Sequence, residues 1–168
     1  ARAVSGAKFD VITSDLIFNR PLSQITTKVV NTVGNNSGVV KKIVLKSAQL
    51  PVGVDLRSDE VVYGPARDVT IYDDATGMSL GLVEKGAGIP VMFRPFAGNT
   101  CYMDVTVRMD GQPADNTFSD VLVTIDNDPK FMPGVSYAIT LSFARYDVFG
   151  TGVIMPWADG DDGGSDLD

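Results

Sequence analysis

The sequence predicts an all-β fold, an antiparallel, Greek-key-like β-sandwich of roughly eight to nine strands. Three observations predict it. Apolar and polar residues alternate with period two in run after run. No window of about eleven residues, the shortest that reveals an amphipathic helix, carries helical periodicity. Gly, Pro, Asn and Asp punctuate the alternating runs at short intervals, as turns between strands require.

Taken in order, the first candidate strand is Lys8–Thr13. QITTKVVNTV and VVKKIVLKSA flank NNSG and read as a long β-hairpin or two neighbouring strands. LPVGVDLRSDEVVYGPARD then reads as an irregular excursion. Shorter candidates follow at Val69–Tyr72, Met78–Val83 and Ile89–Phe93. In Tyr102–Met109, Met103, Val105, Val107 and Met109 share one face, with Asp104, Thr106 and Arg108 on the other. The Asp110-Gly111 turn pair ends that strand. Phe118–Ile125 is the next candidate. VSYAITLSF, opened by Pro133-Gly134, points Val135, Tyr137, Ile139, Leu141 and Phe143 inward. The last candidate is Val148–Trp157, where Phe149, Thr151, Val153, Met155 and Trp157 alternate onto one face expected to point inward. Ile154 is apolar as well, which would suit burial on both faces. Pro156 suggests an edge position, where a missing ladder donor is tolerated.

Composition sets the limits. The chain has 168 residues, 44% hydrophobic and 21% charged, which suits one well-buried core. The expected organisation is a single domain over residues 1–157 and an acidic, disordered tail over 158–168. ARAVSGAKFD lacks the apolar core of a signal peptide, so an exported protein would be represented by its mature form or an excised piece. No apolar run is long enough to span a membrane as a helix. A net charge of −7 argues against nucleic acid as a partner, because binding it needs clustered Lys and Arg to replace phosphate counterions.

The absence of histidine removes Ser-His-Asp and Cys-His catalysis and His-ligated zinc. Cys101, alone in NTCYMDVTV, can form neither an internal disulfide nor a cysteine metal cluster and is expected in the core. DGDDGGSD begins with the spacing of a calcium loop, but the chain stops before a twelfth-position Glu. TIDNDPK and IYDDATG read as turn chemistry. KGAG lacks the GK[ST] ending of a phosphate loop. Asn35-Asn36-Ser37 fits the N-glycosylation pattern or, in a bacterial protein, a turn. Arg20 and Arg94 recur in FNRPL and FRPF as strand-terminal devices or basic docking sites, and Arg2 is the candidate processing site. No enzymatic activity, cofactor or metal is expected.

Two segments carry a resemblance. KFMPGVSYAITLSFARYDVFGTGVIMPWADG resembles the C-terminal strand pair of the fimbrillin family, the Mfa-like pilins and pilus-associated surface proteins of Bacteroidales-type Gram-negative anaerobes. The matching residues are Pro133, Gly134 and Tyr137, then Pro156, Trp157 and Gly160. LIFNRPLSQITTKVV is similar to an earlier strand of related surface proteins. The resemblance implies a cell-surface β-sandwich, exported as an outer-membrane lipoprotein precursor and trimmed by a protease after an Arg. It implies a fimbria or pilus subunit active in cell adhesion and assembled by strand exchange, with other pilus subunits or host and bacterial surface ligands as partners. Family members carry two such domains, so this chain would be a short member, a fragment or an accessory subunit. The candidate assembly strand is Val148, Phe149, Thr151, Val153, Met155 and Trp157, given to a neighbour or closing its own sheet. The alternative is a secreted glycan- or protein-binding module that does not polymerise. Such a glycan module usually displays several exposed aromatics, whereas this chain has one Trp.

Overall fold

The structure, a computed structural model, describes residues 20–34, 38–58, 60–126, 130–144 and 147–155. The candidate strand Lys8–Thr13, the Asn35-Asn36-Ser37 motif, most of DNDP, Arg2, Trp157 and the acidic tail lie outside these residues. Among the described residues no helix is long and apolar enough to cross a membrane.

The described residues form ten strands: β1 (Ser23–Asn31), β2 (Gly38–Ala48), β3 (Pro51–Asp55), β4 (Glu60–Tyr63), β5 (Arg67–Ser79), β6 (Lys85–Phe93), β7 (Thr100–Met109), β8 (Asn116–Ile125), β9 (Ser136–Ala144) and β10 (Asp147–Met155). Eight form one sheet in the order β5-β2-β7-β8-β10-β9-β1-β6, and β3 and β4 form a separate pair. The sheet curls until its two edge strands pack together, making a nearly closed barrel. At that seam Gly88, with φ of 74°, lies so close to the Ile71 carbonyl that a side chain would collide with it.

Alternation marks the buried face in strands such as β1 and β7, which turn one face into the barrel. In β1 every second residue is buried from Ser23 to Asn31. In β7, Met103, Val105 and Val107 are fully buried, while Met109 at the strand end is only partly so. β9 is apolar enough to bury Ser136 and Ala138 as well as Tyr137, Ile139, Leu141 and Phe143.

Connectivity departs from the sequence expectation. The sheet is mixed, since β1 runs parallel to β9 and β10 runs parallel to β8. The two segments around NNSG do not pair as a hairpin. β1 lies between β9 and β6, and β2 between β5 and β7. Period two specifies which face a strand buries and carries no information about its neighbour. The excursion at 51–63 is not irregular but forms the β3–β4 hairpin. An isolated hairpin is marginal in water, and this one is tied down at its base. Gly64 N–H donates to Leu50 O at 2.9 Å, and the Arg94 guanidinium lies 5.4 Å from the centre of the Tyr63 ring. Arg94 also donates to Gln49 Oε1 at 3.2 Å, so it acts as a strand-terminal device.

Phe93, Phe96, Phe131 and Tyr137 close one end of the barrel, with ring centroids 4.8–5.8 Å apart in mostly edge-to-face contacts. The Tyr137 hydroxyl accepts a hydrogen bond from Met132 N–H at 2.8 Å, so this buried phenol keeps a partner.

Candidate functional site

β10 is an interior strand and not an edge. It pairs antiparallel with β9 from Asp147 opposite Ala144 to Met155 opposite Ser136. On its other side Gly150, Thr151 and Gly152 pair with Val123, Thr124 and Ile125 of β8. The Gly152 carbonyl also accepts from Asp126 N–H at 3.0 Å.

The face expected to point inward points outward. Phe149 and Val153 are 54% and 52% exposed, and Thr151 and Met155 are exposed with them. The buried set is Val148, Gly150 and Gly152. Two of those three are glycines, which add nothing to a hydropathy pattern, so the apolar residues on the opposite face dominated it. The barrel interior explains the glycines. A Cβ at Gly150 would sit 2.5 Å from Val123 Cγ2 and 3.2 Å from Leu122 O. One at Gly152 would sit 2.7 Å from Ile139 Cδ1 and also meet the tip of Ile125. The slot between β8 and β9 therefore admits a strand that is small at two alternate positions.

Outside the barrel the same strand carries an apolar stripe. Tyr102 pairs with Leu122 across β7 and β8, and Phe149 follows one step before the Gly150–Val123 pair. All three side chains are about half exposed, at 48%, 49% and 54%. Tyr102 falls out of phase with the buried residues of its strand in the sequence, whereas Phe149 was expected to point inward, and no sequence signal placed the three side by side.

A second arrangement was not anticipated. Lys46 Nζ lies 2.9 Å from Asp68 Oδ2 and 3.1 Å from Asp104 Oδ2, joining β5, β2 and β7. The remaining oxygen of each carboxylate accepts a backbone N–H, Asp68 Oδ1 from Ser47 at 3.1 Å and Asp104 Oδ1 from Asp120 at 2.9 Å. Ser47 and Asp120 are the two described non-glycine residues with positive φ, both 53°. Both stand beside interruptions of strand register, at Leu45/Ala48 of β2 and opposite Met103/Val105 of β7. The ammonium of Lys46 and the Ser47 N–H hold the Asp68 carboxyl below the usual range, and the two carboxylates raise Lys46. In IYDDATG, Asp74 accepts from Thr76 N–H at 2.8 Å, which is the turn chemistry expected there. Cys101 is buried, as expected, and burial pushes its thiol up to about 12.

No family model matches the chain, and no curated protein does. Among solved structures it is similar to candidate cell adhesion proteins of three bacteria. With that from Bacteroides uniformis it shares 13% identity and a TM-score of 0.49, over 84% of this chain and 52% of the other. For Bacteroides ovatus the figures are 19% and 0.41, over 85% and 47%. For Parabacteroides distasonis they are 9% and 0.46, over 84% and 54%. The chain thus spans about half the length of the structures it matches.

Proposed function

We propose that the chain is a non-catalytic fimbrial subunit, or a pilus-associated cell-surface adhesion protein, that assembles by exchanging its β10 strand. The sequence resemblance of the β9–β10 segment to fimbrillins motivates the reading, and the β10 slot is the observation that carries it. β10 is held by ladder pairing with β9 and β8 and turns only Val148, Gly150 and Gly152 inward, so a second copy of the same segment offers the same fit. Vacating the slot would leave β8 and β9 with unpaired N–H and C=O groups above the apolar side chains of Val123, Ile125 and Ile139. Such an edge is satisfied by strand addition from a neighbour. The protein would then act at the surface of the exporting cell, in the outer membrane or a fimbrium.

The test is removal of residues 147–168 followed by addition of a peptide spanning 147–155. Strand exchange predicts that the shortened chain binds the peptide and that the full chain, nicked by limited trypsin treatment, forms oligomers visible by size exclusion and electron microscopy. A nicked chain that stays monomeric, together with a shortened chain that ignores the peptide, refutes the reading.

A further inference from the structure

At the aromatic-capped end of the barrel, a surface cleft of about 410 Å³ is lined by Lys46, Ser47, Phe96, Thr100, Tyr102 and Asp120, among others. That volume is in the range of small-ligand sites. We propose that this cleft binds a single neutral sugar residue, with Tyr102 as the platform and Asp120, Ser47 and Thr100 as hydroxyl partners.

The chemistry of the walls selects the ligand. Tyr102 is half exposed, and Phe96 is anchored from behind by Phe93 and Phe131, so the cleft offers aromatic surface on a rigid base. A pyranose has the matching form, a C–H face with hydroxyls around its rim. Serine and threonine hydroxyls can donate or accept, and an aspartate accepts two hydroxyl protons. The Asp120 side chain has no hydrogen-bonding or ionic partner among the described residues and remains available. The one cation in the lining, Lys46, is held by Asp68 and Asp104. With Lys46 neutralised and Asp120 free, an anionic ligand is disfavoured. A peptide strand is disfavoured too, because β2, β7 and β8 are each paired on both sides and present no open edge.

The cleft is also built before any ligand arrives. Ser47 and Asp120 stand in the left-handed region, which is costly for a non-glycine residue. Each is held there by one oxygen of a carboxylate whose other oxygen grips Lys46. A single network thus fixes two corners of the cleft, and rigid walls lower the ordering cost of binding.

The experiment is an amide-resolved NMR titration of the full chain with the methyl glycosides of glucose, galactose, mannose and N-acetylglucosamine. At least one of them is expected to shift the amides of Ser47, Tyr102 and Asp120 saturably, with Kd on the order of 1 mM. Tyr102→Ala is expected to weaken binding roughly tenfold, and Asp120→Asn to weaken it too, with unchanged melting curves, while Tyr102→Phe keeps the ring and most of the affinity. Three results overturn the proposal: no saturable shift with any of the four glycosides, shifts that survive Tyr102→Ala unchanged, or shifts confined to Leu122 and Phe149. None of these depends on strand exchange, so the two readings fail separately.

Discussion

Adding one methyl group at Gly150 tests the placement of β10 directly. The new Cβ would lie 2.5 Å from Val123 Cγ2 and 3.2 Å from both Leu122 O and Val123 Cβ. Carbon atoms rest at about 3.5–4.0 Å, so the overlap is about 1 Å. Valine is stiff at χ1 and Leu122 O is backbone, so neither yields cheaply. Overpacking of this kind costs about 1–3 kcal/mol. Against it, an alanine in place of glycine restricts the unfolded chain and returns about 0.4–1 kcal/mol. The expected net loss is about 1–2 kcal/mol, a fall in Tm of about 2–8 °C for a domain of this size. Gly152→Ala should lose less, because its obstacles are the Cδ1 tips of Ile125 and Ile139, which can rotate away. Gly86→Ala, with nothing within 4 Å, should melt at or slightly above the parent temperature. Circular dichroism melts of the three variants at equal concentration give the ranking. A Gly150→Ala protein as stable as the parent, or a Gly86→Ala protein equally damaged, would refute an inward-facing Gly150.

Three further outcomes follow from the same geometry. Phe149→Ser and Leu122→Ser should each change stability by less than about 0.5 kcal/mol while lowering dye binding to exposed apolar surface; a large drop in Tm would mean that the stripe is covered. Cys101, with its thiol pushed up to about 12 by burial, should resist iodoacetamide at pH 8 in the native state and react once the chain is unfolded, as mass spectrometry would show. Asp68 and Asp74 both have folded pKa values below the ordinary carboxyl value of 3.8. The folded state therefore binds fewer protons than the unfolded chain, so their contribution is complete above about pH 5 and is lost as pH falls through the folded values. Urea midpoints measured between neutral pH and about pH 3 should decline with acid, and Asp68→Asn should flatten part of that decline.

Much of the fold was legible because strand alternation is a local property. Residues 102–109 show in sequence the face they bury in the barrel, since the other side of that strand is turned toward water. Within 135–143 the alternation marks Tyr137, Ile139, Leu141 and Phe143, although β9 buries Ser136 and Ala138 as well. The same reasoning misassigned β10, where the core side is marked by glycines and the solvent side by Phe149, Val153 and Met155. Hydropathy registers transfer free energy, and at Gly150 and Gly152 the deciding quantity was the space left by Val123, Ile125 and Ile139. Those residues lie 11–29 positions away in sequence and become neighbours only when β8, β9 and β10 pair.

The cleft shows the same division. Tyr102, Ser47 and Asp120 have no motif in common, and their meeting depends on β2, β7 and β8 being adjacent with interrupted register. Sequence alone determined an all-β chain with a buried cysteine and without the histidine on which many catalytic sites depend. Tertiary structure alone decided that β1 and β2 part company, that β10 lies inside the sheet, and that Lys46 braces two strained corners. The physical reason is that the first group of facts follows from each residue's own chemistry and its near neighbours. The second depends on long-range pairing, in which shape and backbone hydrogen bonding outweigh composition.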